Sequence, residues 1–343
     1  MEPWRDSLLE GQVIPACPLA LTQTGEWSPR HQRALVRYYL DAGVGGIAVG
    51  VHTTQFEIRN HGLYEPVLRC ISNLLDEEAS TQKQFIRIAG LCGSPEQVVA
   101  EAKLAANLGF HLGLLSPSGF HGLSEAEIIQ HTKDVAEIIP VFGFYLQPAV
   151  GGRSFSIDYW HQLTQIKNLL AIKVAAFNRY QTIDVMRALE ASKRPDLAVY
   201  TGNDDQIILD LLTAYQFDRS SEPRWMVGGV LGQWAIWTRE AVKLFEKIKQ
   251  ARLQERLDRD WLNQNAKLTA ENAVIFDAHN QFSGCIPGIN EVLRRQGLLP
   301  SSRCLNINEC LSLGQSDEID RIEKNHFEES SWIRAHLDKW LQP

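Results

Sequence analysis

The 343-residue sequence lacks the features that would place the chain in a membrane or on a nucleic acid. No apolar run approaches the roughly 18 residues of a membrane-spanning helix, and the N-terminus lacks the charged and apolar regions of a signal peptide. No block of Lys and Arg stands out, and the formal charge is −7. Neither feature favours nucleic acid or an anionic membrane as a partner. The composition, 44% hydrophobic and 22% charged, is typical of a soluble globular protein.

Cysteine and histidine are present, but their spacing is not that of metal ligands. The six cysteines are scattered, without a C-x-x-C pair, which indicates reduced core residues of a cytoplasmic protein. The ten histidines show neither H-E-x-x-H nor H-x-x-x-H spacing. We therefore predict a cytoplasmic protein without a metal site, although three distant ligands could still converge in the fold.

Short apolar segments rich in β-branched residues alternate with amphipathic segments of helical period. The helical segments carry start and stop signals, such as Ser-Pro at residues 28–29 and 94–95 and a capping box from Ser124 to Glu127. The predicted strands cover residues 13–21, 46–51, 85–91, 111–116, 141–147, 169–175, 197–202 and 224–230. Eight strand–helix units of roughly 30 residues predict a (β/α)8 TIM barrel. An open doubly wound sheet is the alternative, but no Gly-rich phosphate-binding segment follows the first strand.

The chain continues well beyond the eighth predicted strand. A long helical stretch is expected from Thr238 to about Asn265, followed by further helices and loops. We therefore predict a barrel catalytic domain at residues 1–265 and a C-terminal helical extension, packed on the barrel, at residues 266–343.

One lysine, Lys173, lies in the middle of the apolar segment NLLAIKVAAF at residues 168–177. Burial disfavours the ammonium and lowers its pKa, and a neutral amine can attack a carbonyl to form a Schiff base. Tyr145 lies 28 residues earlier, about one strand–helix repeat. We therefore expect the two side chains to face each other at the top of the barrel, where a phenol could carry protons. The alternative is a lysine that reaches solvent from a strand end and a tyrosine of the core.

Polar residues follow the second predicted strand, where functional groups of a barrel are expected. His52, Thr53 and Thr54 offer hydroxyls and backbone N–H groups that could hold a carboxylate. The alternative is a polar loop without a role in binding.

Glycines and carboxylates follow the seventh and eighth predicted strands. Gly202 is followed by Asn203 and then by Asp204 and Asp205, which could accept hydrogen bonds from sugar-like hydroxyls or cap the next helix. After the eighth strand, Gly229 and the glycine before it would permit close approach of a ligand to the backbone.

Together these segments resemble the dihydrodipicolinate synthase / N-acetylneuraminate lyase family of class I aldolases. GVGGIAVGVHTTQFE is similar to the family's G-x-x-G-I…G-[TS]-T-G-E segment, FYLQPAVGG to Y-N-x-P, LLAIKVA to G-I-K and GNDD to G-x-D-[ED]. PGINEVLRRQGLLP resembles a helix near the family's C-terminus, and the five segments occur in the family's order over about residues 10–300. The resemblance places the catalytic tyrosine at Tyr145 and the Schiff-base lysine at Lys173. It also implies a pyruvate-type 2-oxo acid, a homo-oligomer (dimer or tetramer), and no metal or organic cofactor.

The sequence departs from the family pattern at three positions. V-H-T-T-Q replaces G-[TS]-T-G-E, Val150 stands where dihydrodipicolinate synthases carry an arginine, and the loop SPSGFHG lacks their tyrosine pair. These losses argue against lysine biosynthesis. His52 could replace part of the lost proton relay, or it could be a structural histidine. GNDD matches the spacing in lyases that bind polyhydroxylated substrates, so we expect a sugar-derived 2-oxo acid.

We therefore predict a Schiff-base lyase or aldolase that acts on a 2-oxo acid through Lys173, with Tyr145 as proton shuttle. Thr53 and Thr54 would hold the carboxylate, and Asp204 and Asp205 would face the distal end of the substrate. A 2-oxo sugar acid dehydratase and a dihydrodipicolinate synthase are alternatives within the family. A non-catalytic relative that binds an oxo acid is an alternative from another class.

Overall fold

The computed structural model describes residues 2–78 and 84–342. Eight parallel strands alternate with helices, which confirms the predicted (β/α)8 barrel with additional C-terminal helices. The strands are β1 (Val13–Pro15), β2 (Gly46–Val49), β3 (Ile86–Leu91), β4 (Leu112–Leu115), β5 (Val141–Leu146), β6 (Leu169–Ala175), β7 (Ala198–Thr201) and β8 (Gly228–Leu231). The α-helices are α1 (Pro3–Glu10), α2 (Pro29–Ala42), α3 (Tyr64–Glu78), α4 (Pro95–Asn107), α5 (Glu125–Ala136), α6 (Ile157–Leu163), α7 (Arg179–Ser192), α8 (Ile207–Leu212), α9 (Thr238–Ala251), α10 (Asp260–Ile275), α11 (Cys285–Arg295), α12 (Gln315–Glu323) and α13 (Phe327–Trp340).

The strands pair in the order β1-β8-β7-β6-β5-β4-β3-β2. The barrel closes between β1 and β2, where the Cys17 N–H donates to the Ala48 carbonyl at 2.8 Å. Helix α1 covers the opposite end of the barrel from the strands' carboxyl ends, because its Trp4 ring stacks on His111, just before β4, at 4.9 Å between centroids. The carboxyl ends of the strands are therefore the end at which a ligand can enter.

A β-bulge interrupts the pairing of β5 with β6. Val141 pairs with Leu169, but the next residue of β5 pairs with Ala171, so β6 carries one additional residue, Leu170. The bulge shifts the register by one position along the rest of the two strands. Phe144, and not the residue after it, consequently lies opposite Lys173.

The helical stretch predicted from Thr238 to about Asn265 is wrong in its continuity, because α9 ends at Ala251 and α10 begins at Asp260. At the end of α9, the Arg252 guanidinium donates to the carbonyls of Leu211 and Met226, both at 2.6 Å. These bonds fix the end of α9 against the barrel, and the chain turns before α10 starts. The predicted domain limit at residue 265 lies inside α10, and the division into two domains stays a prediction.

The C-terminal helices pack on the barrel. The Tyr38 hydroxyl of α2 donates to Glu329 of α13 at 3.0 Å, and the Tyr38 ring lies 5.4 Å from that of Trp340. Helices α10 and α11 bring the loop between them, residues 276–284, to the carboxyl ends of the strands. Within the described residues, no helix is long and apolar enough to cross a membrane.

Candidate active site

A cavity lies at the carboxyl ends of the strands, where barrel enzymes carry their functional groups. Its polar lining consists of His52, Thr53, Gln147, Lys173, Asp204 and Cys285. Its larger apolar lining consists of Val51, Phe144, Leu146, Val150, Phe177, Phe276 and Phe282. The small residues Ala16, Ala175, Gly202 and Gly232 complete the wall.

Five of the nine predicted site residues line this cavity and four do not. The five are Lys173, His52, Thr53, Gly202 and Asp204. The other four are Tyr145, Thr54, Asp205 and Gly229. Their different positions follow from which face of its strand or turn each residue occupies.

Lys173 projects from β6 into the barrel interior and is only 8% exposed. Its Nζ lies 4.5 Å from the ring centroid of Phe144. Within residues 2–78 and 84–342, its ammonium has neither a hydrogen bond nor an ion pair. Burial lowers the pKa of Lys173 well below the ordinary 10.5, and the negative charge of Asp204 opposes that shift. The structure thus provides a buried amine that can be neutral near physiological pH.

Gly202 provides the space for the Lys173 side chain. A Cβ atom at Gly202 would lie 2.5 Å from Cε of Lys173 and 2.9 Å from Cβ of Ala175. Any side chain at position 202 would therefore displace the lysine. The requirement for glycine here is steric, because a second side chain cannot share this part of the cavity.

Asp204 supplies the carboxylate of the cavity. Its Oδ1 accepts a hydrogen bond from the Gln233 N–H at 3.1 Å, and its carbonyl accepts one from the Asn272 side chain at 2.6 Å. Burial raises the pKa of Asp204, while the Gln233 N–H and the charge of Lys173 oppose the shift. The predicted capping role is wrong, because α8 has Gln206 at its N-cap and no side-chain cap. Asp204 is instead fixed from the turn after β8 and from α10.

The turn after β2 presents His52 and Thr53 to the cavity. Burial, followed by the charge of Lys173, lowers the pKa of His52 to about 4, so its ring is neutral at pH 7. The Thr53 hydroxyl donates to the Ala16 carbonyl at 2.7 Å and keeps its lone pairs free to accept. The backbone N–H groups of His52 and Thr53 donate to no acceptor in the described part of the chain. These two N–H groups can receive an anionic group of a ligand.

Tyr145 lies outside the barrel wall, so the prediction that it faces Lys173 is wrong. Its ring packs against Trp160 at 4.9 Å and Phe155 at 6.0 Å, in the layer between strands and helices. Its buried hydroxyl lies near the Phe155 N–H and the Ser154 side chain, without a well-aligned hydrogen bond to either. The reason is the bulge at Leu170, which shifts the β5–β6 register by one residue and turns Tyr145 outward.

Thr54 and Asp205 also lie outside the cavity. The Thr54 hydroxyl accepts from the Gly50 N–H at 3.0 Å and donates to the Cys17 carbonyl at 2.7 Å, so it joins the ends of β1 and β2. Asp205 lies toward Asp210, and burial, followed by that charge, raises its pKa to about 6. Thr54 therefore supports the turn that carries Thr53, and Asp205 lies away from the lysine.

Gly229 faces the outer layer. A Cβ atom there would lie 2.7 Å from the Trp234 ring, whereas Gly232, three residues later, lines the cavity. The prediction that Gly229 permits close approach of a ligand is therefore wrong, and Gly232 has that position after β8.

The loop after β7 is held by a buried polar network. The carboxylate of Asp210 accepts from Thr201 at 2.6 Å and from Asn203 at 2.9 Å, and it pairs with Arg179. The Asn203 Oδ1 in turn accepts from the Phe177 N–H at 2.9 Å. The network fixes the segment between Gly202 and Asp204 relative to the end of β6.

Sequence reasoning missed the aromatic wall of the cavity. Phe276 and Phe282 come from the loop between α10 and α11, to which the sequence assigned no role, and Phe177 follows β6 directly. The T-shaped contact between Phe177 and Phe282 has 5.6 Å between centroids. Only Phe177 carried a local signal, since it lies within the segment that contains Lys173; the other two depend on tertiary packing.

The described residues contain no group of three or more His, Cys, Asp and Glu side chains placed to hold a metal ion. Burial raises the pKa of Cys285 in the cavity well above its ordinary value, so this thiol is protonated at neutral pH. The groups of the cavity that can exchange protons near neutrality are therefore Lys173 and Asp204.

Comparisons with known proteins agree on one family. The sequence profile of the Dihydrodipicolinate synthetase family matches residues 10–215. N-acetylneuraminate lyase 2 of Escherichia coli O6:H1 is 23% identical over 320 residues, covering 92% of this chain and 94% of the lyase. The structure of the prophage protein YagE of E. coli K12, solved with pyruvate, has a TM-score of 0.73 at 16% identity and covers 92% of this chain and 98% of its own. A monomeric dihydrodipicolinate synthase variant has a TM-score of 0.73 at 17% identity, with 95% and 99% covered. The structural matches show the shared fold.

Proposed function

Because the chain belongs to the Dihydrodipicolinate synthetase family, whose members are class I lyases and aldolases, we propose that Lys173 forms a Schiff base with a 2-oxo acid. The chain is thus an enzyme of the lyase and aldolase class; its substrate and its reacting residues are our proposal. The observation that carries the proposal is the amine of Lys173, which is buried, unpaired and directed into the cavity. Only a neutral amine is nucleophilic, and this environment favours the neutral form.

The reaction starts with attack of the Lys173 Nζ on C2 of the 2-oxo acid. The C2 oxygen takes up one proton from the amine and one from the Asp204 carboxyl group and leaves as water, so a protonated imine and the Asp204 carboxylate remain. In a 4-hydroxy-2-oxo acid, the C3–C4 bond breaks, its electron pair flows to the imine nitrogen, and C4 leaves as an aldehyde. Protonation of the enamine at C3 and hydrolysis of the imine release pyruvate and restore the amine. No electron acceptor is needed, because the overall oxidation level does not change.

The turn after β2 would hold the carboxylate of the substrate. His52 and Thr53, whose backbone N–H groups are free within the described residues, line the same cavity as Lys173. The two backbone donors match the acceptor oxygens of a carboxylate, and the Thr53 hydroxyl would add a third donor by turning its proton from the Ala16 carbonyl to the ligand. Thr54, which sequence reasoning included, would support this turn rather than touch the substrate.

Asp204 would carry protons in place of the tyrosine. Its pKa is raised by burial, so its carboxyl group can both take and give a proton near neutral pH. In the cleavage direction it would remove the proton from the C4 hydroxyl. The neutral His52 ring, near Lys173, would donate a hydrogen bond to the substrate or accept one from it. Its participation in a proton relay stays a hypothesis.

A dehydratase of the same family is the second candidate. It would remove a proton from C3 and expel the C4 hydroxyl as water, so the carbon chain would stay intact. The same lysine and carboxylate would serve, and product analysis separates the two reactions. Dihydrodipicolinate synthesis is less favoured, because Val150 lines the cavity where those synthases carry an arginine.

We propose that the imine mechanism proceeds without a metal and without an organic cofactor. Adduct formation on protein treated with a chelator and dialysed tests it. A homo-oligomer, dimer or tetramer, is likewise our proposal, and light scattering after size-exclusion chromatography measures it.

The experiment that tests the proposed function is reductive trapping. The protein is incubated with pyruvate, reduced with borohydride and digested, and the modified peptide is located by mass spectrometry. We expect the adduct on Lys173 and none in Lys173→Met, whereas the exposed-site control Lys167→Met should behave as the unchanged protein. Failure to trap pyruvate or any larger 2-oxo acid on the folded protein would overturn the proposal and favour a non-catalytic role.

A further inference from the structure

The outer part of the cavity is apolar. This part would contact the half of the substrate that is not bonded to Lys173. Five apolar side chains line it, namely Leu146, Val150, Phe177, Phe276 and Phe282, and the Phe144 ring lies deeper, beside the amine of Lys173. We propose that the group attached to C4 of the 2-oxo acid is aromatic or branched aliphatic rather than polyhydroxylated. This inference deepens the proposed function and rests on it, because it assumes imine formation at Lys173.

The polar groups of the cavity are too few for a sugar chain. Thr53 and the neighbouring N–H groups would be occupied by the carboxylate, and Asp204 by the proton of the C4 hydroxyl. The remaining uncharged polar side chains of the lining are His52, Gln147 and the weakly polar thiol of Cys285. Hydroxyls beyond C4 would lie against phenyl rings without hydrogen-bond partners, and such burial is unfavourable. The GNDD segment, which indicated a sugar-derived substrate, contributes only Gly202 and Asp204 to the lining.

Two phenylalanines of the aromatic wall have an unfavourable backbone conformation, which the surrounding structure holds in place. Phe177 has φ of 49° and Phe282 has φ of 65°, both in the left-handed region that large side chains rarely adopt. The Phe177 N–H is fixed by Asn203, and the loop of Phe282 is fixed by Asp277, which accepts from the Gly284 N–H at 2.9 Å. Strained residues persist where the surrounding structure over-determines them, and they cluster at ligand sites.

The two rings meet across the mouth of the cavity. Phe177 follows the lysine by four residues, past the end of β6, so it lies nearer the solvent than Lys173. Phe282 reaches the same place from the α10–α11 loop, and both rings remain partly exposed. An apolar group bound between them would remove this aromatic surface from water, which favours its binding.

The test is a matched panel of 2-oxo acids in the trapping assay. The probes are pyruvate, 2-oxo-4-phenylbutanoate, 4-methyl-2-oxopentanoate and 2-oxo-3-deoxygluconate, each titrated to half-maximal adduct on Lys173. We expect half-saturation by the phenyl and branched probes at concentrations at least about tenfold below that for the hydroxylated probe, the size of effect that one apolar group gives. Pyruvate serves as the reference for imine formation itself.

Variants locate the preference on the wall. Asn tolerates positive φ, so Phe177→Asn and Phe282→Asn keep the backbone conformation while they remove the rings. Each should weaken trapping of the phenyl probe several-fold more than it weakens trapping of pyruvate. The control Phe327→Asn changes a phenylalanine that is 69% exposed, at the start of α13, and should alter neither value.

The outcomes separate this inference from the proposed function. Trapping of pyruvate with equal or tighter binding of the hydroxylated probe would overturn the apolar assignment and leave the imine mechanism intact. An unchanged phenyl preference in both ring variants would also overturn it. Absence of every adduct on Lys173 would overturn the proposed function and this inference with it.

Discussion

Two buried cations lie near the carboxyl ends of the strands, and their surroundings are opposite. Arg59 makes two hydrogen bonds with Glu101, at 2.8 and 2.9 Å, and donates to the carbonyls of Gly50 and Gly90. Lys173 is buried to a similar degree, but within the described residues its ammonium has neither a hydrogen bond nor an ion pair; it lies against the Phe144 ring, and the charge of Asp204 only partly opposes the effect of burial on its pKa.

The different surroundings of the two side chains distinguish a structural cation from an amine that is suited to react. A buried ion pair with complete hydrogen bonding stays ionised and holds its elements together. A buried amine without a partner has a lowered pKa instead. Such an environment is unfavourable for the charged form, and it is typical of amines that react in the neutral form. Arg59 fixes the segment after β2, whereas we propose that Lys173 reacts with the substrate.

The largest expected effect comes from removing the reactive cation. Lys173→Met should abolish adduct formation and turnover, because no other amine lines the cavity in the described residues. Its free energy of unfolding should stay the same or rise, since a buried amine without a hydrogen bond is replaced by an apolar side chain. Urea unfolding and trapping measure the two quantities. A large loss of stability would show that Lys173 is a structural residue like Arg59.

Removing the structural cation should give the reverse result. Arg59→Met leaves Glu101 buried without its partner, and we expect a loss of about 3–5 kcal/mol in the free energy of unfolding. The control is Arg69→Met, which breaks an exposed pair with Glu65 and should cost less than about 1 kcal/mol. Urea titration measures both variants. Equal, small losses would contradict the contrast between the two cations.

Asp204→Asn should lower kcat by about 10²–10⁴, the usual contribution of general acid–base catalysis. It should also shift the pH dependence of trapping. The negative charge of Asp204 raises the pKa of Lys173, so its removal lowers that pKa further, and adduct formation should start at lower pH. Asp205→Asn, next in the chain but outside the cavity, is the control. A shift to higher pH in Asp204→Asn would refute the assigned electrostatics.

The smallest effect is expected at Tyr145, despite its place in the family motif. Tyr145→Phe should leave kcat within about twofold, because the hydroxyl lies in the outer layer. It should change the free energy of unfolding by less than about 1.5 kcal/mol, since the lost hydroxyl makes at most weak hydrogen bonds to the Phe155 N–H and Ser154. Steady-state kinetics and urea unfolding measure these values. A loss of kcat near that of Asp204→Asn would mean that Tyr145 turns inward in the reacting enzyme.

The barrel and part of its site could be predicted because both depend on local pattern. The alternation of strands and helices predicted the fold, and the rule that function lies at strand ends identified Lys173, His52 and Asp204. The face of the strand on which each side chain lies could not be predicted, because a shift of one residue in the strand register reverses it. The bulge at Leu170 turned Tyr145 outward, and the two-residue period of β8 turned Gly229 outward. Phe276 and Phe282 were missed, since long-range packing alone brings their loop to the barrel.

The central claim is that Lys173 is an unpaired amine with a strongly lowered pKa. Competitive labelling with trace acetic anhydride at a series of pH values, read by mass spectrometry, titrates Lys173 and the exposed Lys243 and Lys247 in one sample. We expect Lys173 to become reactive at a pH well below that at which both exposed lysines react. Treatment with pyruvate and borohydride should protect Lys173 from acetylation. Titration of Lys173 together with the exposed lysines, or above them, would contradict the account.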